Sequence, residues 1–112
     1  EKYIENGKYY DKELQNIKGL KLHKYYPESQ PSYWFYTLKV ERRTDFIRVM
    51  AENGIMASEV HKRNDVHSIF SDFRTTLPNV DEFEKTWVHI PSGWWVSEKD
   101  RKKIVDCIKK GW

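Results

Sequence analysis

Four histidines are the residues best suited to acid–base or metal chemistry in this sequence: His23, His61, His67 and His89. His61 and His67 are separated by five residues, and Asp65 lies between them. Two imidazoles and one carboxylate in a loop form a weak zinc signature when neither cysteines nor an H-E-x-x-H helix accompany them. His89 falls in a predicted strand, where a histidine is usually hydrogen-bonded to its surroundings. The histidine spacing therefore predicts no metal site.

Other common catalytic groups have equally little support. Cys107 is the only cysteine, which excludes an internal disulfide and a cysteine-rich zinc site. It lies beside Ile108 in an amphipathic pattern, which indicates an inert, buried thiol. The five glycines are isolated from one another, so there is no glycine-rich phosphate loop. Because a nucleophile-elbow sequence is also absent, we expect no independent active site in this chain.

The composition predicts one folded domain, residues 1–112. The chain has 112 residues, of which 15% are aromatic, whereas disordered chains contain few aromatics. The longest apolar run covers only residues 33–36. A membrane-spanning helix needs ~20 apolar residues, and no signal peptide precedes the run. The net charge is a mild +3 without a clustered basic face. We expect a cytoplasmic domain without a membrane or nucleic-acid partner, and the start at Glu1, inside a predicted helix, suggests a piece of a longer protein.

Hydrophobic periodicity and capping residues predict the order α-β-β-α-β-α-β-α. The predicted elements are a helix at 3–17, strands at 20–22 and 32–41, a helix at 44–53 with Thr44 as N-cap, a strand at 55–60, a helix capped by Asn79, a strand at 87–90, and a last helix opened by Ser97 and Asp100 and ended by Gly111. Gly111 is expected to let Trp112 fold back onto this helix. This order predicts an α+β fold, a small two-layer sandwich with a three- to four-stranded mixed or antiparallel sheet and helices mainly on one face.

The strand at 32–41 has the strongest alternation in the sequence. Trp34, Tyr36, Leu38 and Val40 are predicted to form its core face. Tyr33 and Phe35 begin the other face, and we expect them to pack under the first helix rather than to stack on RNA bases.

Trp94 and Trp95 follow Pro91 in a predicted loop. Two adjacent indoles in an extended segment cannot both point inward, so one of them is expected to cover a partner or a neighbouring domain.

A series of short motifs runs through the second half of the chain. Residues 54–67 read GIMASEVHKRNDVH, Leu77-Pro78 and Ile90-Pro91 follow, and residues 96–100 read VSEKD. Two earlier segments belong to the same series. Residues 10–22 are predicted to form the end of a tyrosine-bearing helix and a short strand, and residues 33–36, which are all aromatic, lie in the strand that follows. In order and spacing, these motifs resemble the C-terminal part of sugar-nucleotide aminotransferases of the DegT/StrS type.

The resemblance implies a fold-type I, pyridoxal-phosphate-dependent enzyme that moves an amino group, commonly from glutamate, onto the keto sugar of a nucleotide-linked substrate. In that family the Schiff-base lysine, the partner of the pyridinium nitrogen and the phosphate-binding groups lie in the large N-terminal domain. The chain is therefore expected to be the C-terminal small domain, which binds no cofactor itself and does not catalyse alone. Its expected partners are the large N-terminal domain, the nucleotide sugar and, in the full-length protein, a second subunit of a homodimer.

The resemblance also implies substrate-binding roles for His61, Lys62 and Arg63. His61 matches a family histidine at the edge of the active site, and two cations beside it would suit a nucleotide diphosphate. The family often has an aromatic residue where Lys62 stands, which leaves the sugar unspecified. His67 matches a second histidine for which a structural role is equally expected. The alternative hypothesis is a free-standing α+β module that acts through protein contacts or weak RNA binding.

Overall fold

The computed structural model describes all 112 residues and contains four α-helices, three strands and two short 3₁₀ segments. The helices are α1 (Lys2–Glu13), α2 (Arg43–Glu52), α3 (Pro78–Glu84) and α4 (Glu98–Lys110), and the strands are β1 (Leu20–Leu22), β2 (Tyr36–Val40) and β3 (Trp87–Ile90). The 3₁₀ segments are Asn64–Val66 and Ser68–Phe73. Both strand pairs are antiparallel, in the order β1-β2-β3. The predicted α+β class is confirmed. No helix combines the length and the apolar character needed to cross a membrane.

One face of the sheet forms the core. Leu38 on the central strand lies between Leu22 of β1 and Val88 of β3, and it is completely buried. The strand alternation places Tyr36 and Val40 on the same side as Leu38, where both are buried. Buried side chains of α1, α2 and α4 join this cluster, namely Tyr10, Phe46, Met50, Ile104, Val105 and Ile108. These three helices therefore share one apolar face with the sheet.

The predicted core face of the second strand is correct for three residues and wrong for Trp34. The strand begins at Tyr36 rather than at residue 32, and the Trp34 side chain is 65% exposed. The chain bends at residues 34 and 35, directly before the strand, so the side-chain alternation of β2 does not extend back to Trp34. Tyr33 packs on α1 as predicted, with its ring against Gly7. The same expectation was wrong for Phe35, whose ring instead contacts His89 on β3.

Residues 55–60 do not form the predicted strand. Only Ser58 pairs with β3, through two backbone hydrogen bonds with His89. Ile55 and Ala57 are buried, so the apolar character that suggested a strand reflects packing rather than a ladder.

Three predicted helix boundaries also move. The first helix ends at Glu13, three residues before the left-handed Asn16. The second begins at Arg43, after the left-handed Arg42, so Thr44 is not its N-cap. The third helix begins at Pro78, so Asn79 lies inside it and is not its N-cap. The fixed φ of proline suits the first helical position.

The capping predicted for the N-terminus of α4 is confirmed, and after Gly111 the Trp112 side chain turns toward Glu41 and α2. Ser97 and Asp100 form a reciprocal capping box at its N-terminus. Gly111 has φ of 90°, and the Trp112 indole N–H donates to the Glu41 carbonyl at 2.7 Å. The Trp112 ring also packs edge-to-face on Phe46, with 5.0 Å between centroids. The C-terminal tryptophan thus closes one end of the core.

A buried asparagine joins α1 to the loop after β3. Asn6 is fully buried, and its amide nitrogen donates to the carbonyls of Ser92, Gly93 and Val96 at 3.3, 3.0 and 3.4 Å. Its side-chain oxygen accepts from Arg101 at 3.2 Å. Because buried carbonyls need partners, this one amide fixes the course of the loop at residues 92–96.

A second polar contact joins α1 to the start of β2. The Asp11 carboxylate accepts hydrogen bonds from the hydroxyls of Tyr33 and Tyr36. Burial, and then the bond to Asp11, raises the pKa of Tyr36. A Cβ on Gly7 would lie 2.1 Å from the Tyr33 ring, so only glycine lets the ring approach the helix this closely. The residues before β2 are therefore tied to α1 on the core side.

We expect Leu38→Ala to lower the free energy of unfolding by about 2–4 kcal/mol, because it removes buried volume at the centre of the sheet. Urea unfolding measures the change. Lys21→Ala, on the exposed side of the edge strand, is the control and should change stability by less than about 0.5 kcal/mol. Equal losses would show that the register of β2 is wrong.

Asn6→Ala should lower the free energy of unfolding by about 1–3 kcal/mol, because it removes the donor that the buried carbonyls of Ser92 and Val96 share. Gln15→Ala is the matched control, since Gln15 donates its amide to the Asp11 carbonyl in an exposed position. Thermal and urea unfolding should separate the two variants. If Asn6→Ala were as mild as Gln15→Ala, the loop would not depend on this amide.

Candidate functional site

The sheet face opposite the core carries a connected row of rings, here called the aromatic face: Phe83, Trp87, His89, Phe35 and His61. The ring centroids of Phe83 and Trp87 are 5.7 Å apart, and those of Trp87 and His89 are 4.8 Å apart. His89 stacks on Phe35 at 4.7 Å, and Phe35 meets His61 nearly perpendicularly at 5.6 Å. Strand alternation explains why Trp87 and His89 share a face, and the pairing of Thr37 with His89 sets the register between strands.

His89 is the most constrained member of the aromatic face. Its Nδ1 lies 3.0 Å from the Thr37 hydroxyl oxygen, and its main chain exchanges two hydrogen bonds with Ser58. Burial, and secondarily the neighbouring His61, lowers the pKa of His89. The ring is therefore a neutral imidazole near neutral pH, held from the side chain and the backbone at once.

Arg43, at the start of α2, anchors the segment that leads to His61. Its guanidinium donates to the Trp87 carbonyl at 3.2 Å and also to the Glu84 carbonyl. The same group forms an ion pair with Glu59 at 3.2 Å. Together with the backbone bonds of Ser58, this pair fixes the chain immediately before His61.

Arg63 anchors the same segment on its other side. Its Nε and one terminal nitrogen bind both carboxylate oxygens of Asp65 at 2.6 Å, and its other terminal nitrogen binds Asp81 of α3. These hydrogen bonds raise the pKa of Arg63, and the bond to Arg63 lowers the pKa of Asp65. Such a two-point carboxylate contact holds the turn in one orientation.

The predicted site residues fall into three different environments. His61 is exposed at the end of the aromatic face, and Lys62 beside it is exposed and forms no ion pair. Arg63 is partly buried between two carboxylates. His67 lies outside the row of rings, exposed at the start of the second 3₁₀ segment. No group of three or more His, Cys, Asp or Glu side chains is arranged to hold a metal ion.

A groove of about 270 Å³ runs beside the aromatic face. Trp34, Met56, Val60 and Trp95 are among its apolar lining, and Ser58 and His89 contribute polar groups. A Cβ on Gly93 would lie 2.3 Å from the Trp95 ring, so the glycine lets this indole fold back over the loop. The adjacent indoles of Trp94 and Trp95 are 70% and 62% exposed. Both indoles can therefore contact another surface, whereas the sequence predicted this for one of them.

Sequence reasoning missed the aromatic face and Arg43. Alternation predicts Phe35 and Thr37 on one side of a strand. The pairing of β2 with β3 determines that His89 is the ring that contacts both of them. The contact between Arg43 and Glu59 joins two elements that share no local pattern. Neither feature has a signal in the spacing of a single sequence.

Comparison with known proteins places this geometry in a family. The model of the DegT/DnrJ/EryC1/StrS aminotransferase family matches residues 1–109. The sugar aminotransferase CalS13 from Micromonospora echinospora is 43% identical with a TM-score of 0.96, and AtS13 from Actinomadura melliaura is 41% identical with a TM-score of 0.96. Each alignment covers 99% of this chain and 30% of the other chain.

A more distant structure shows the fold alone. The aminotransferase TlmJ from Streptoalloteichus hindustanus is 18% identical with a TM-score of 0.89, and the alignment covers 98% of this chain and 31% of the other. The search of curated proteins gives no match. The chain thus spans less than a third of the length of the structures it resembles.

We expect His89 to make folding sensitive to mild acid. Because the pKa of His89 is lower in the folded protein than in the unfolded chain, the unfolded chain takes up the proton first. The contribution of neutral His89 to the free energy of unfolding is complete above the pKa of about 6.5 in the unfolded chain. It is lost as the pH falls toward the lower pKa in the folded protein. Urea unfolding between about pH 8 and 5 measures this loss. The free energy of unfolding of the wild type should fall more steeply with decreasing pH than that of His89→Gln.

His67→Gln is the control for this titration, since it removes an exposed imidazole outside the aromatic face. This variant should still lose stability in mild acid, because it retains His89. A His89→Gln profile parallel to that of the wild type would contradict the burial of a neutral His89.

Proposed function

Because the chain belongs to the DegT/DnrJ/EryC1/StrS aminotransferase family, we propose that it is the C-terminal small domain of an enzyme that aminates the keto sugar of a nucleotide-linked substrate. Glutamate is the proposed amino donor. The high identity to two sugar aminotransferases supports the substrate class, and the share of their length that is matched supports a further, larger domain. The family match also favours this function over a free-standing binding module.

The placement of His61 is the main structural support for a substrate contact in this chain. The chain before it is fixed by Ser58 and Arg43, and the turn after it is fixed by Arg63. The imidazole itself is exposed at the end of the aromatic face. A rigidly mounted, solvent-facing imidazole is suited to donate or accept one oriented hydrogen bond with a bound sugar.

Lys62 and Arg63 are proposed to contribute to diphosphate binding in different ways. Lys62 has an exposed ammonium group without an intramolecular carboxylate, so it is free to meet phosphate oxygens. Arg63 already binds Asp65 and Asp81, and its clearest role is to hold the turn. Direct contact between Arg63 and phosphate stays a prediction.

Aminotransferases of this family depend on pyridoxal phosphate, which supplies the electron sink for amino transfer. The residues of this chain do not fit that group. A Schiff-base lysine needs a sheltered environment that lowers its proton affinity, but no lysine is buried here, and only Lys2 and Lys39 are even partly covered. We propose that the large N-terminal domain holds the cofactor and that this chain is inactive alone.

The exposed indoles suit the proposed contact with that domain. Trp94 and Trp95 lie on a loop that Asn6 holds in place, so their surface is presented without an ordering cost. A homodimeric enzyme and a cytoplasmic location stay predictions.

In the full-length aminotransferase, His61→Ala should lower kcat/KM for the nucleotide sugar by about ten- to a hundredfold, the effect of losing one oriented contact. The half-reaction with the amino donor alone should change much less, since the contact is to the sugar. His23→Ala, an exposed histidine beyond β1, is the matched control. Equal losses in both half-reactions, or no loss in either, would contradict the substrate contact.

A further inference from the structure

Phe35 has no part in the core, yet it is partly buried and in contact with two imidazoles. It immediately precedes β2 and points away from the buried face that begins at Tyr36. On this side it stacks on His89, with an angle of 24° between the rings, and meets His61 at 84°. An apolar side chain of similar volume would fill this space, but only a ring makes both contacts.

We infer that Phe35, supported from beneath by His89, is a positioning residue that sets the orientation of the His61 imidazole. The inference deepens the proposed function and rests on it for its catalytic consequence: Phe35 determines how well His61 meets the sugar acceptor. The orientation itself is a property of this chain alone, and it is measurable without activity.

His61 needs such a support because no hydrogen bond or ion pair fixes its side chain. The backbone pairing of its segment with β3 ends at Ser58, three residues earlier. The Glu59 ion pair and the Arg63 turn fix the main chain on either side. No hydrogen bond within the chain holds the His61 ring, and its aromatic neighbour is Phe35. The rotamer of His61 therefore depends on this edge contact.

His89 makes Phe35 a fixed platform rather than a mobile one. The Thr37 hydroxyl holds the His89 ring, and two backbone hydrogen bonds to Ser58 hold its main chain. On the far side Trp87 packs against His89, and the Trp87 indole N–H donates to Glu84 at 2.9 Å. A ring stacked on a support with this many constraints has little freedom to tilt.

The first test is proton NMR of this chain at neutral pH. The Hα–Hβ couplings of His61 should report one preferred side-chain rotamer, and Phe35→Leu should abolish that preference. Phe35→Tyr, which keeps the ring, should retain it. Phe83→Leu is the matched control, because it removes the ring at the other end of the row, which contacts Trp87 and not His61. Unchanged His61 couplings in Phe35→Leu would overturn the inference.

The second test is kinetic and uses the full-length aminotransferase. Phe35→Leu should lower kcat/KM for the nucleotide sugar by about five- to twentyfold and leave the donor half-reaction unchanged, and Phe35→Tyr should restore the rate. A general loss of structure would reduce both half-reactions. If Phe35→Leu changed the His61 couplings without slowing the acceptor half-reaction while His61→Ala did slow it, the positioning role would fail and the proposed function would stand. If His61→Ala also had no effect, the proposed substrate contact would itself be wrong.

Discussion

The buried amide of Asn6 is the contact on which the arrangement of this domain most depends. A single side chain on the first helix satisfies three carbonyls of the loop that follows the last strand. The Gly93 carbonyl also accepts from the Val96 backbone N–H, but for the carbonyls of Ser92 and Val96 the loss of the Asn6 donor would carry the cost of an unpaired buried group. Arg101 of α4 completes the arrangement by donating to the same amide. One residue thus ties the first helix, the last helix and the loop between strand and helix.

The two faces of the same sheet carry different side chains because the strands alternate. Tyr36, Leu38 and Val40 build a dry core with three helices. Thr37, between them, points to the other side and holds His89. The core fixes the backbone, and the backbone in turn fixes the aromatic face. A stable, rigid support is what a site for an oriented imidazole requires.

Much of the fold was predictable from local pattern, and the failures have local causes. The capping box of Ser97 and Asp100 was predictable because helix ends are specified by a few adjacent residues, whereas the contacts of Trp112 with Glu41 and Phe46 have no local signal. Alternation predicts Trp34 in the core, but the bend at residues 34 and 35 ends the regular strand before it, and the indole is exposed.

The site was less accessible to sequence reasoning. His61 was identified through family resemblance, whereas its setting depends on strand register and on contacts between distant residues. The stack of Phe35 on His89 joins residues of two strands, and the Arg63 contact to Asp81 reaches a separate helix. Spacing along one chain carries no information on these distances.

We propose that this chain contributes an oriented substrate contact while the cofactor is held by residues outside it. Incubation of the chain with pyridoxal phosphate, followed by borohydride reduction and mapping of the modified lysines, measures whether this chain holds the cofactor. Because the lysines are solvent-facing, we predict scattered, substoichiometric modification without one preferred position. Stoichiometric modification of one lysine in the folded chain, lost on unfolding, would contradict the account.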